Sequence, residues 1–423
     1  MRPLYTLLGH LLLPLILLYL AWRCLKERDY CRGWTQRLGL AQPTTPAKAP
    51  LWLHAASVGE VRALRPLIES LQKSQPEQPL LITTTTPTGA AQVKALFANR
   101  AQHAYLPLDL PWAVRGFLHH YRPARGLLME LELWPNLLHI AAKENVPLWL
   151  INARLSARSA QRYQKIKRLL TPALGQLDLI AAQTAEDAKR LRALTPNHVT
   201  IEVMGNLKFD LSIDPEALNQ GQQLRQALGQ ARPVWIAAST REGEEDQVLK
   251  AHAKIRQHHP HALLMLVPRH PQRFAEVAQR VRAAGFSLSR NTDKKPVDAD
   301  TAVWLGDTLG QLQTFYACAD LAFVGGSLVP LGGQNLLEPA ALGKAVLIGP
   351  SDEHFAQASA QLRQAEAARR VEDTERLAQA IIELFENPER AKTMGLQGQA
   401  VIAKHRGATQ WLINRLQQQR GKS

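Results

Sequence analysis

Cysteine is scarce in this chain: three residues in 423, Cys24, Cys31 and Cys318, with no CxxC pair among them. That scarcity argues against a disulfide framework and a structural zinc site, and it fits a reducing compartment. Acidic side chains are also few, 36 against 51 Lys and Arg, which leaves a formal charge of +15. Such a balance implies a polyanionic partner: nucleic acid, anionic lipid or a phosphorylated substrate. Formal charge is missing altogether from PLYTLLGHLLLPLILLYLAW, residues 3–22. About 20 apolar residues suffice to cross a bilayer, so 1–24 reads as a single-pass transmembrane anchor. No small-x-small cleavage site comes after it, only Arg23, Lys26, Arg28, Arg32 and Arg37. By the positive-inside rule that cluster sets the remainder on the cytoplasmic side of the inner membrane. Pro14 and His10 leave a shallow interfacial helix as the alternative.

The chain has the composition of a globular protein, 46% hydrophobic and 21% charged, and is long enough for two domains. A basic juxtamembrane segment and a Pro/Thr-rich linker, AQPTTPAKAP, fill 25–49. Short apolar runs then alternate with helical patterns: LWLHAA (51–56), LLITTTT (80–86), AYLPLD (104–109), RGLLMEL (125–131), PLWLIN (147–152) and LDLIAAQ (177–183). This predicts a doubly wound parallel α/β sheet over 50–204. A linker is expected at 205–232. A second series begins at PVWIAAST (233–240) and predicts another Rossmann-like domain over 233–423, whose last helix is able to pack back on the first domain.

The first strand ends in a turn that lacks the glycine-rich, acid-free loop of a phosphate cradle. LWLHAASVGE closes instead on Glu60. MELELWPN (129–136) sets Glu130 and Glu132 two apart, on opposite faces if extended, before a helix that opens near Pro135. In INARLSARSAQRYQKIKRLL (151–170), Arg154, Arg158 and Arg162 recur at helical spacing with Lys165, Lys167 and Arg168, and no acid relieves them. Leu155, Tyr163, Ile166 and Leu170 are the expected buried side. Mixed signs are usual on a solvated face, so the run reads as a lipid-phosphate surface. Ser239 or Thr240 with the acids of STREGEE reads as a structural helix start. In FVGGSLVPLGGQNLLEPAALGKAVLIGP (323–350), glycines close a strand and open a helix, with Asn335 and Glu338 one turn apart. Free backbone N–H groups there suit a nucleotide phosphate, and Glu338 suits the ribose hydroxyls.

Together LWLHAASVGE, MELELWPN, NARLS, GNLKFD, STREGEE, VPRHPQRF, GDTLGQL and GGQNLLEPA resemble the Kdo (3-deoxy-D-manno-octulosonic acid) transferases of lipopolysaccharide synthesis. The resemblance runs from the anchor to the last helix. It implies a GT-B glycosyltransferase fold, two Rossmann-like domains facing a cleft, and an inverting, metal-independent transfer from CMP-Kdo to the lipid A precursor, lipid IVA. No cofactor is implied. Glu60 matches the proton acceptor; Glu130 and Lys208 match transition-state stabilisers. The donor contacts carry over to Pro268, Arg269, Leu309, Gly310, Gln311, Asn335, Leu336, Leu337 and Glu338. The chain departs from the commoner pattern at Gln311, where an acid is expected, at Leu131 and Leu336, and over GPSDEHFAQA (349–358), which receives no role. Expected partners are CMP-Kdo, lipid IVA and an anionic inner-membrane surface meeting Arg154, Arg158 and Arg162.

Two rival readings remain open. A GT-B enzyme using a UDP-sugar on a lipid-linked acceptor shares the glycine and Glu-Pro features. A membrane-tethered polyanion-binding scaffold accounts for the charge. Against nucleic acid as partner, aromatic and basic residues are not interleaved, and the cations are spread through both domains.

Overall fold

The computed structural model describes residues 1–40, 48–293 and 297–420; most of the expected linker, 41–47, lies outside the described residues. The chain divides into two compact units, Met1–Asp210 with Arg406–Ser423, and Leu211–His405.

The first unit holds strands Leu51–His54 (β1), Leu80–Thr84 (β2), Gln102–Tyr105 (β3), Arg125–Met129 (β4), Leu148–Ala153 (β5), Leu179–Ala182 (β6) and Thr200–Val203 (β7). They form one parallel sheet in the order β3-β2-β1-β4-β5-β6-β7. Strand periodicity sends Trp52, Leu128 and Leu150 into one apolar layer and Leu53, Leu127, Met129 and Trp149 into the other, so both faces are covered. Gly126 has no side chain because Trp52 and Leu148 fill its place; a Cβ there would meet their atoms at 2.6 and 2.4 Å. The last helix, Ala408–Arg420, belongs to this unit and buries Leu412 and Ile413 beside Leu67. The Asp210 carboxylate accepts from the Gly407 and Thr409 N–H groups ahead of it.

The second unit repeats the plan with Val234–Thr240 (β8), Leu263–Pro268 (β9), Leu288–Arg290 (β10), Val303–Leu305 (β11), Leu321–Val324 (β12), Ala345–Ile348 (β13) and Ala368–Arg370 (β14), parallel in the order β10-β11-β9-β8-β12-β13-β14. The apolar runs of the sequence are all strands here. Strands β7, β10, β11 and β14 were not legible, because three or four residues carry no period and, β11 apart, few of theirs are buried. Strand order reverses between β1 and β4 in the first sheet and between β8 and β12 in the second. Ligands of open α/β sheets bind at the carboxyl ends of strands at such switch points.

Helix Arg2–Lys26 is long and apolar enough to cross a membrane. It leads into a short 3-10 helix, Arg28–Cys31, joined back to it by a Cys24–Cys31 disulfide with Cα atoms 4.8 Å apart. The scarcity of cysteine argues against a disulfide framework, and this is a single local bridge: the turn after the helix brings together two residues that sequence spacing alone did not pair. Cys318 is free and buried.

Candidate active site

At the switch point of the first sheet, β1 and β4 each end in a turn that presents a carboxylate. After β1, Ser57 caps helix Val58–Ala63 by accepting from the Glu60 N–H. The Glu60 side chain folds back and takes the Ala56 N–H at 2.9 Å, a local reciprocity like that of a capping box. Glu60 is only 7% exposed. Burial first, then the neighbouring charges of Glu130 and Glu132, push its pKa above the ordinary carboxylate value, and the bonds from Ser57 and Ala56 offset only part of that. A carboxyl group so raised is a better proton acceptor than a solvated one once ionised.

After β4 the chain does not stay extended. Glu130 adopts a left-handed backbone, φ +56°, while its N–H donates to the Ile151 carbonyl. Such a φ on a non-glycine residue is uncommon and costs on the order of 1 kcal/mol. The sequence reading put Glu130 and Glu132 on opposite faces; the turn instead brings both close enough to act on Glu60. Glu132 opposes the cost of burial by accepting from Trp134 Nε1 at 2.7 Å and from buried His54, and is held below the ordinary carboxylate range.

Lys208 reaches Glu130, with Nζ 3.5 Å from Oε1. Its backbone is set by residues that had no role in the sequence analysis. Asn206 Oδ1 accepts the Lys208 N–H, and the Asn206 amide donates to Gln183 Oε1. Gln183 in turn donates to the Asn152 carbonyl, and Asn152 Oδ1 accepts the Leu207 N–H at 3.0 Å. Asn152 is fully buried and sits at φ +52° beside an irregularity in the β5–β6 pairing. The motif letters NARLS and GNLKFD contain two of these residues, but no periodicity marks a hydrogen-bond relay.

The basic run deviates from a single helix. Arg154 lies before helix Ala157–Lys165, which Ser156 caps, so only Arg158 and Arg162 share a helical face. The helix breaks at Ile166, which is 47% exposed rather than buried, while Leu155 and Leu170 are buried and Tyr163 packs on the core as expected. Arg154, Arg158, Arg162, Lys165, Lys167 and Arg168 are all exposed.

In the second unit, the amides of the turn after β12 are occupied from within: Glu244, fully buried, accepts from the N–H groups of Arg241, Gly326, Ser327 and Leu328. Burial pushes its pKa up, and those four bonds work against the push. Glu244, not Ser239 or Thr240, is the N-cap of helix Glu245–His258. Glu245 is clamped by Arg273 at 2.6 Å, which ties STREGEE to VPRHPQRF.

Gly332 and Gly333 do not open a helix; it starts at Leu337 and runs only to Ala341. Asn335 lies just before its N-cap, Leu336, with Oδ1 accepting the Leu337 N–H and Nδ2 donating to Glu338 at 3.1 Å. The Leu336 and Leu337 side chains are buried, so only their backbone is available to a ligand. Pro268 ends β9, and the Arg269 N–H donates to Thr240. Gln311 accepts from Asn291 at 2.8 Å and from Thr308, which arranges the loop where Leu309 is 69% exposed and Gly310 takes φ +83°.

Known proteins share this chain's sequence and its architecture. The sequence profile described as 3-Deoxy-D-manno-octulosonic-acid transferase (kdotransferase) matches residues 32–211. The 3-deoxy-D-manno-octulosonic acid transferase of Haemophilus influenzae is 39% identical over 417 residues, 98% of each chain. That of Bordetella pertussis is 39% identical over 98% of this chain and 99% of its own. A solved glycosyltransferase from Rickettsia africae aligns with 88% of this chain and 98% of its own at a TM-score of 0.56; at 13% identity this shows the fold, the tandem Rossmann-like architecture called GT-B.

Proposed function

This chain belongs to the 3-deoxy-D-manno-octulosonic acid transferase family and is a glycosyltransferase; on that premise we propose that it moves Kdo from CMP-Kdo to lipid IVA with inversion, Glu60 acting as general base. The observation that carries this reading is the Glu60 carboxylate: buried, raised in pKa and set at the switch point beside Glu130. In the reaction an acceptor hydroxyl attacks the anomeric carbon. Its oxygen forms the new glycosidic bond, its proton passes to Glu60, and the bond to the CMP phosphate breaks with CMP leaving as the anion. A positioned base of this kind contributes on the order of 100- to 10,000-fold.

The anomeric centre gains positive character as CMP departs, and the Glu130–Lys208 pair supplies one charge of each sign near the base. Donor contacts are assigned to Pro268, Arg269, Leu309, Gly310, Gln311, Asn335 and Glu338, with Leu336 and Leu337 acting through their backbone. Arg154, Arg158 and Arg162 meet the acceptor phosphates. The reaction needs no metal ion or cofactor on this reading. The N-terminal helix holds the protein at the inner membrane with both units on the cytoplasmic side.

The test is a transfer assay in detergent with CMP-Kdo and lipid IVA, run with and without EDTA, with products weighed by mass spectrometry. Addition of Kdo that survives EDTA supports the reading. Consumption of a UDP-sugar with none of CMP-Kdo would keep the fold and replace the donor.

A further inference from the structure

The N-terminal helix is fastened to the first unit at both ends. Near its start, Thr6 Oγ1 donates to Asn136 Oδ1 at 2.8 Å, and Tyr5 lies beside Asp109. Gly9 lies so close to Leu110 that an added Cβ would stand 3.3 Å from it. Asn136 and Asp109 are themselves locked together, the carboxylate accepting from the Asn136 and Leu137 N–H groups. At the far end, the Arg23 guanidinium stacks 4.2 Å over Tyr30, and Cys24 is bonded to Cys31. The chain then returns to the sheet: Gln36 accepts the Tyr105 N–H, the Arg37 carbonyl accepts the Leu108 N–H, and the Arg37 guanidinium lies 4.1 Å over the Tyr105 ring. Gly39 meets Gly116 where a Cβ on the latter would clash with the Gly39 carbonyl at 2.4 Å.

Between these two attachments the half-buried positions are Arg2, Tyr5, Thr6, Gly9, Leu13, Ile16 and Leu17, ending at buried Leu20. That spacing of three and four is one face of a helix, turned to the protein along its length. The other face presents Leu4, Leu8, Leu11, Leu15, Leu18 and Trp22, each exposed by about half or more, with no formal charge among them. Thr6 and Arg23 are about 25 Å apart along the axis, close to the thickness of a bilayer core. A helix crossing the membrane would carry its first turn to the side opposite the sheet. Here that turn is bonded to the MELELWPN segment that carries Glu130.

We propose that this helix lies in the plane of the cytoplasmic leaflet rather than crossing it, its inner face bound to the first unit and its outer face in lipid. The occupant of the outer face is an anionic phospholipid bilayer. Charge argues for it: helix Arg2–Lys26 packs on helix Pro135–Lys143, which packs on Lys167–Leu174, which packs on the basic helix Ala157–Lys165. One series of packed helices in the unit therefore carries both apolar side chains for acyl tails and, two helices further on, cations for headgroups. An apolar face sunk about 5–10 Å into the headgroup boundary, with basic residues alongside, is how in-plane helices bind. The attachment to Asn136 also fixes the depth at which the Glu130 loop faces the membrane. A lipid-borne acceptor then reaches the site with its tails still in the leaflet.

The experiment uses full-length protein in native membranes with an epitope tag at Met1. The proposal expects the tag to be cleaved by protease in inside-out vesicles and protected in intact spheroplasts; cleavage from the outside would overturn it. A Thr6→Cys/Asn136→Cys pair is expected to cross-link in those membranes, and Gly9→Cys/Leu110→Cys provides the same readout should the first pair fold poorly. Leu8→Glu/Leu11→Glu/Leu15→Glu tests the occupant. It is expected to abolish flotation with phosphatidylethanolamine–phosphatidylglycerol vesicles while CMP binding and Tm stay unchanged, and flotation equal to wild type would refute lipid contact.

Discussion

Lys208 Nζ stands 3.5 Å from Glu130 Oε1, joining the turn after β4 to the turn after β7. Both side chains are about one-third exposed or less, so the pair is neither a free surface contact nor a sealed one. Each partner is held by strained or bonded backbone: Glu130 by its left-handed turn, Lys208 by the Asn206–Gln183–Asn152 relay.

If the pair acts as a unit, its losses do not add. Glu130→Gln and Lys208→Met are each expected to lower kcat by about 100-fold or more, and the double variant by no more than the worse single one. CMP affinity, measured by calorimetry, is expected to stay within a few-fold. Multiplicative losses in the double variant would assign the two residues independent roles.

The raised pKa of Glu60 sets the acid side of the pH profile. The base must be ionised, so kcat/KM rises with pH through the Glu60 pKa, and the limb lies above the ordinary carboxylate range. Removing the Glu130 charge takes away one of the causes that raise it. The limb of Glu130→Gln is therefore expected to shift to lower pH even though its plateau is lower. A limb that stays in place in that variant would belong to another group.

Asn152→Ala removes the acceptor for the Leu207 N–H and leaves a Cβ residue at positive φ, a combined cost of roughly 2 kcal/mol. Asn152→Gly relieves the backbone but not the lost bond. Both are expected to reduce kcat and lower Tm with CMP binding intact, the alanine variant losing more Tm than the glycine variant. Activity unchanged in both would remove Asn152 from the positioning of Lys208.

Glu244 fills the amide cradle after β12 as an internal anion. Glu244→Ala leaves those buried N–H groups unmatched and is expected to destabilise the protein by about 3 kcal/mol. CMP binding should weaken with it, because the same loop leads into Gln334 and Asn335. A variant that is equally stable in thermal melts and binds CMP normally would contradict this role.

Much of this was legible in the sequence for physical reasons. Near-continuous burial on both faces made the central strands visible as apolar runs, and the turn that closes on Glu60 was legible as one that is not a phosphate cradle. The βα alternation marked both Rossmann-like sheets. Glu244 was read correctly as structural, but not as the group that consumes the glycine loop's amides. That role depends on a contact across more than 80 residues. Asn152 and Gln183 were missed because a left-handed asparagine and a buried amide relay leave no pattern in composition or spacing. Ile166 and Arg154 were misplaced because one helical period was extended across a break and past a cap.

The most direct test of Glu60 as the base is the Glu60→Gln variant, whose side-chain oxygen still accepts the Ala56 N–H while the proton acceptor is lost. With CMP-Kdo and lipid IVA, a general-base role predicts a fall in kcat of at least about 100-fold with CMP affinity and Tm no lower than wild type. A variant that transfers Kdo at the wild-type rate would contradict it, and the proton acceptor would have to be sought elsewhere, Glu130 first.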